Sequence, residues 1–220
     1  PPVSYAEFVY QVEKAGKVNK DYYHNHKFYY QEADPEKKIL LWDKNVVFFP
    51  RRINGKLVFL HRIRPGIQLV AVENLKELTK EYWKEYFQNL QDHIVLDPFF
   101  DHEANYIGSG CPPVETEHGW LLIYHGVQDT DTGPAYSACA ALLNLDNPLK
   151  EIARLPYPLF SPEYRWELEG SVNNVVFPTG TAIFGDTLFI YYGAADSHIA
   201  CASLNLPDLV AELLTCSKTS

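Results

Sequence analysis

Three apolar runs in this chain end on polar side chains. "LVFLHR" closes on His61-Arg62, "WLLIYHG" on His125-Gly126, and "TLFIYYG" on Tyr192-Gly193 with Asp196 shortly after. If the runs occupy equivalent places in a fold, a guanidinium, an imidazole and a carboxylate converge. A second group precedes each run: Lys44-Asn45, then Glu103-Ala104-Asn105-Tyr106, then Glu169 with Asn173-Asn174. Carboxylates and amides beside Trp42, Tyr106 and Tyr136 are the chemistry of a sugar site, in which aromatic faces take the C–H side of the ring and fixed polar groups take its hydroxyls. A lone histidine or arginine at a strand end is more often a structural group with its partners satisfied. The threefold recurrence is what favours a site. Asn45 and Asn174 also suit turns, where asparagine is common.

The elements that must position these residues are legible as a repeat. Residues 45–62, 107–126 and 174–193 share one plan: an apolar start, a proline, a turn, a glycine, then a run rich in Leu, Ile, Phe and Tyr. Gly55, Gly119 and Gly185 lie 64 and 66 residues apart. Each unit continues into a third apolar stretch, "IQLVAVENL" (67–75), "YSACAALLNL" (136–145) and "HIACASLNL" (198–206). Strand, glycine turn, strand, loop, strand is an antiparallel meander, and repetition at a fixed long period predicts the blades of a β-propeller rather than a sandwich. Residues 72–90 break the plan: Leu75, Leu78, Tyr82, Tyr86 and Leu90 recur near the helical period and predict a surface or blade-linking helix. The aromatic segment 21–38 reads as strand or irregular structure.

Bulk properties bound the partners. With 220 residues, 46% hydrophobic and 21% charged, the chain can bury a sizeable core. A net charge of −9 and a pI near 5.3 argue against nucleic acid or anionic lipid as partners. No apolar run approaches the roughly 20 residues that cross a bilayer. The four cysteines show no metal-ligand spacing, so free thiols are expected, with no metal and no cofactor. The Pro-Pro-Val start and the absence of methionine predict a segment upstream of residue 1. A soluble protein of bacterial type is expected, with the choice between cytoplasm and periplasm open, as is assembly into a homo-oligomer.

Five segments in order, "KNVVFFPRRINGKLVFLHR", "IGSGCPPVETEHGWLLIYHGV", "AYSACAALLNLDNP", "EGSVNNVVFPTG" and "GDTLFIYYGAADSHIACA", resemble glycoside hydrolase family 130, the β-mannoside phosphorylases and β-mannosidases. The resemblance runs from about residue 44 to the C-terminus. It implies an all-β, five-bladed propeller of which residues 1–220 form one catalytic domain holding about the last three and a half blades, without the N-terminal blade. The family's general acid, an aspartate of an early blade, is then expected upstream. Asn45, Arg62, His125, Tyr136 and Asp196 match positions lining the sugar and phosphate subsites, and Asp196 is implied to bind hydroxyls of the mannosyl unit.

Two positions depart from the phosphorylase pattern, which places an arginine before the asparagine and a lysine just before the "IG-x-G" motif. Lys44 and Tyr106 stand there. Phosphate is held best by several Arg or Lys groups, and only arginine offers a bidentate fork. Fewer basic groups weaken an anion site more than a water site. An inverting hydrolase needs a carboxylate base opposite its acid, and Glu103, three residues before Tyr106, is the candidate catalytic residue, with Glu169 second. The expected activity is therefore inverting hydrolysis of β-mannosides, with β-1,2-linked oligosaccharides as substrate and Lys44, Asn45, Arg62, Tyr106, His125, Tyr136 and Asp196 binding it. A β-mannoside phosphorylase that also takes inorganic phosphate is the alternative, and a non-catalytic glycan-binding propeller the third reading.

Overall fold

The structure, a computed structural model, describes residues 3–24 and 39–216. Three antiparallel sheets follow one another along the chain. The first has the order β1 (Lys44–Phe48), β2 (Leu57–Arg62), β3 (Ile67–Val72), β4 (Ile94–Leu96). In the second, β5 (Tyr106–Ser109) and β6 (Val114–Thr116) both pair with β7 (Gly119–Thr130), which pairs with β8 (Gly133–Leu143) and that with β9 (Glu151–Arg154). The third is β10 (Val176–Phe184), β11 (Thr187–Ala194) and β12 (His198–Asn205). Each of the three expected units is thus one sheet.

The turns explain the repeated glycines. Asn54 and Gly55 both take left-handed backbone, φ 50° and 80°, between the bridged pair Ile53 and Lys56. Positive φ at both central residues is the demand of a tight hairpin turn, and Asn-Gly meets it without a side-chain clash. Gly185 plays the same part at φ 57° ahead of β11.

Strand β7 is the centre of the molecule. Residues Gly119–Val127 are buried without a break, which is why the segment reads as a continuous apolar run rather than an alternation. Its two faces serve different cores. Trp120, Leu122 and Tyr124 pack with Leu60, Ile67 and Leu96 of the first sheet, whereas Leu121 and Ile123 pack with Leu188 and Ile190 of the third and with Leu209 and Leu213 of the C-terminal helix. Each such side chain contributes about 1.5–3 kcal/mol through removal from water.

The helical expectation for 72–90 is met in a shorter form. A single turn at Leu75–Glu77 and a helix, α2 (Lys80–Gln88), are separated by Leu78 and Thr79, and the Thr79 hydroxyl caps α2 by accepting from the Tyr82 amide at 3.2 Å. Its buried face is Trp83, Tyr86 and Phe87, and it packs on α1 (Tyr5–Ala15), with Phe8 meeting Phe87 edge to face at 5.1 Å. Helix α1 was not anticipated, although Ser4 and Glu7 form the reciprocal capping box that marks a helix start. Of the aromatic segment 21–38, residues 25–38 lie outside the described residues. Among the described residues no helix is long and apolar enough to cross a membrane.

Candidate active site

Alternation along β7 and its neighbours decides which side chains meet. Tyr106 and Gly108 on β5 stand opposite Val127 and His125 on β7, which stand opposite Tyr136 and Ala138 on β8. Paired residues share a face of the sheet, so Tyr106, His125 and Tyr136 converge. The Tyr106 and Tyr136 hydroxyls lie 2.6 Å apart, and the His125 ring lies 6.4 and 6.2 Å from theirs. Gly108 makes room. A β-carbon there would fall 2.7 Å from His125 Cε1 and 3.0 Å from Arg62 Cδ, so its missing side chain is the space in which Arg62, from the first sheet, meets His125.

A pocket of about 300 Å3 opens over this face, lined by Lys44, Asn45, Arg62, Tyr106, Tyr136 and Asp196 together with Arg64, Phe177 and two valines. The structure therefore brings together six of the seven expected binding residues. The seventh, His125, is fully buried behind them, its Nε2 3.5 Å from Arg62 Nη1 and its ring tilted against that of Phe177 with centroids 4.5 Å apart.

Among the described residues that line the pocket, Lys44, Arg62 and Arg64 are basic and Asp196 is acidic, in a chain of net charge −9. Burial, together with the charges of Arg62 and Arg64, holds the His125 imidazole well below its ordinary pKa, so it is neutral. Burial also lowers Arg62, with the Tyr106 hydroxyl opposing and Arg64 adding to the effect. Buried polar atoms normally have partners. Here Asn45 Oδ1, Arg62 Nε and His125 Nδ1 have none. Backbone strain collects at the same place: Asn45 (φ 57°), Ala195 (φ 46°) and Asp196 (φ 51°) are left-handed. Ala195 in particular pays a steric penalty that glycine would avoid, and it does so in the turn that carries Asp196 to the pocket.

Glu103 lies elsewhere. It ends a short turn, Asp101–Glu103, and is fully buried. Its Oε1 accepts from the Tyr124 hydroxyl at 2.5 Å, and its Oε2 accepts from Arg154 Nη1 at 3.0 Å and from the Phe99 and Phe100 amides at 2.8 and 3.2 Å. Tyr124 precedes His125 by one residue and so points to the opposite face of β7. The expectation of Glu103 as base thus meets a carboxylate with its lone pairs committed, on the wrong side of the strand. Three residues of separation from Tyr106 did not translate into proximity. Glu169 is exposed, accepts from Arg165 Nε at 3.0 Å and is not among the pocket residues.

Arg64 escaped the sequence reading. The signal was the second arginine of "HRIR", which stands in the turn after β2, two residues beyond Arg62, with the buried Ile63 between them. His61, by contrast, is turned from the pocket and held by Asp43 and the Tyr86 hydroxyl, each at 2.8 Å. His102, Glu103 and Cys139 place potential metal ligands within 4.8 Å of one another. The Arg154 guanidinium on Glu103 already fills the role of counter-cation there.

Comparison with known proteins identifies the family. The family model for glycoside hydrolase family 130, described as beta-1,4-mannooligosaccharide phosphorylase, matches residues 8–214. The chain is 39% identical over 181 residues to a 1,2-beta-oligomannan phosphorylase of Thermoanaerobacter sp. (strain X514), covering 80% of this chain and 56% of the relative. It is 35% identical over 179 residues to a beta-1,4-mannooligosaccharide phosphorylase of Ruminococcus albus, covering 80% and 52%. The chain spans about half the length of the curated relatives it matches. Among solved structures, the beta-1,2-mannobiose phosphorylase of Listeria innocua superposes with a TM-score of 0.64 at 30% identity, over 83% of this chain and 48% of that one. The residues matched extend through all three sheets and the pocket between them, and the chain belongs to glycoside hydrolase family 130.

Proposed function

We propose that the protein is a β-mannoside phosphorylase, and that its three sheets are consecutive blades of a five-bladed propeller. This reverses the preference drawn from sequence for hydrolysis. In the proposed reaction an oxygen of inorganic phosphate attacks the anomeric carbon of the terminal mannosyl unit. The glycosidic C–O bond breaks, the departing oxygen takes up a proton from a general acid, and mannose 1-phosphate is released. Attack from the face opposite the leaving group inverts the anomeric carbon.

The observation that carries this reading is the lining of the pocket: among the described residues Lys44 and Arg62 stand in it beside Asp196, while Glu103 is spent on Arg154. Such a site favours a dianionic nucleophile over water, because cations fixed in a partly dehydrated cavity stabilise phosphate oxygens before and during transfer. Arg62 and Lys44 are the proposed phosphate ligands, and neutral His125, its Nδ1 without a partner, orients Arg62. Asp196, an acceptor of hydroxyl hydrogen bonds on a strained turn, and the Tyr136 phenol are assigned to the sugar. The relatives named above as phosphorylases support the same choice, and β-1,2-linked mannosides are the proposed substrates on the strength of the Thermoanaerobacter relative.

The test is product analysis with β-1,2-mannobiose in the presence and absence of phosphate. Mannose 1-phosphate formed only when phosphate is present is the expected result. Free mannose released at the same rate without phosphate would return the hydrolase, and no turnover of any mannoside would leave a glycan-binding module.

A further inference from the structure

The turn that carries Asp196 to the pocket is held by a loop that precedes the third sheet. Ala195 and Asp196 are both left-handed, at φ 46° and 51°, and neither is glycine. Such backbone persists only where its surroundings over-determine it. The surroundings here are residues 169–175. The Val172 amide donates to the Ala195 carbonyl at 3.2 Å, the Ala195 amide donates to the Val175 carbonyl at 3.0 Å, and the Ser171 amide donates to Ser197 Oγ at 2.9 Å. The loop is closed on itself by the Gly170 amide, which donates to Asn173 Oδ1 at 3.1 Å. Gly170 is what lets loop and turn meet. A β-carbon there would overlap the Ala195 carbonyl oxygen and fall 2.7 Å from Ala195 Cβ and 2.8 Å from Ser197 Oγ. Ala195 is fully buried, and packed backbone does not yield as a side-chain tip does, so any side chain at position 170 displaces the turn or the loop. Both shape the pocket, which Val172 and Val175 line from the loop and Asp196 from the turn.

We propose that Gly170 and Ser197 form a clamp that fixes Asp196 in place, and that this clamp sets the affinity for the mannosyl unit. Both are positioning residues: neither lines the pocket, and each acts through the turn that bears the carboxylate. The proposed phosphate ligands, Lys44 and Arg62, stand on β1 and β2 in another sheet, so the clamp bears on the sugar and not on the anion. The inference rests on the assignment of Asp196 to the sugar, and it holds whether phosphate or water attacks.

Displacing a substrate-positioning group by about 1 Å costs up to roughly 100-fold in rate. In the full-length protein, Gly170→Ala is expected to lower kcat/KM for β-1,2-mannobiose by roughly 10- to 100-fold, while the phosphate KM stays within about twofold. Ser197→Ala removes the acceptor of the Ser171 amide without adding bulk, and is expected to act in the same direction by about 3- to 10-fold, the worth of one hydrogen bond. Ser197→Thr keeps the hydroxyl and is expected to stay near wild type. A general loss of structure would move both KM values and would not be sorted by the presence of a hydroxyl at position 197. Mannobiose kinetics unchanged in Gly170→Ala, both KM values raised equally, or Ser197→Thr impaired as much as Ser197→Ala overturns the proposal. Should Gly170→Ala fail to fold, the two Ser197 variants decide. Should the wild-type protein release free mannose without phosphate, the phosphorylase reading fails separately, and the mannobiose KM still reads the clamp. Should it turn over no mannoside, calorimetric titration with β-1,2-mannobiose decides: weaker binding by Gly170→Ala than by wild type sustains the clamp, and equal binding by both, or none by wild type, ends it.

Discussion

Two buried polar clusters sit back to back on strand β7, separated by one residue of register. On one face Tyr124 meets Glu103 and Arg154. On the other His125 meets Arg62 beneath the pocket. In the first, both carboxylate oxygens of Glu103 are engaged and Arg154 also reaches Glu151 at 3.0 Å and the Asp97 carbonyl at 2.9 Å. In the second, Arg62 Nε, His125 Nδ1 and Asn45 Oδ1 are buried without partners. Arg154 Nε is also buried without a partner, so the difference lies in charge: in the first cluster a guanidinium meets a carboxylate, and in the second it meets a neutral imidazole. A closed ion pair marks a rivet between elements. The first motif also recurs. Glu167, 64 residues after Glu103, accepts from the Glu163 and Tyr164 amides at 2.8 and 2.9 Å and from the Tyr192 hydroxyl at 2.6 Å. A device used in two sheets belongs to the scaffold, whereas the pocket is built once.

The comparison can be broken most severely at the rivet. Glu103→Gln removes the partner of a buried guanidinium, which costs about 3–5 kcal/mol of folding free energy. Urea unfolding reads that loss, while turnover per folded molecule is expected to persist. A Glu103→Gln protein of wild-type stability but without turnover would restore Glu103 as a base. On the other face the expectation inverts. Arg62→Ala is expected to lower kcat/KM on the order of 100-fold through lost oxyanion contacts. Its unfolding free energy should fall far less than that of Glu103→Gln, because the buried Nε has no partner to lose and the repulsion from Arg64 disappears.

His125 sharpens the contrast through pH. Its folded pKa lies well below the unfolded value near 6.5, so the unfolded chain binds a proton that the native one does not. Its contribution to stability is constant above the unfolded pKa and is lost as pH falls below it, by up to about 1.4 kcal/mol per pH unit. His102 and His93 are also lowered, chiefly by burial, and add to the slope. The difference between wild type and His125→Asn across pH 5–7 isolates the share of His125, and identical slopes would refute it. The smallest effect is expected at Glu169, exposed and paired only with Arg165. Glu169→Gln should change stability by less than about 0.5 kcal/mol and leave turnover intact.

Composition and period were enough to read the strands and the three-unit repeat, since apolar runs bounded by proline and glycine at equal spacing have few other uses. They also pointed to polar strand ends that meet when the units stack, but it was the resemblance to family 130 that singled out seven of these positions, six of which line the pocket. The fate of the charges was not legible. Glu103 and Tyr106 are three residues apart yet lie on opposite faces of one strand, a matter of register and of where the turn before β5 points its carboxylate. Arg154, which claims Glu103, comes from 51 residues away. Whether a carboxylate is a base or one half of an ion pair depends on what the folded chain brings within 3 Å of it, and that distance is a property of the tertiary structure alone.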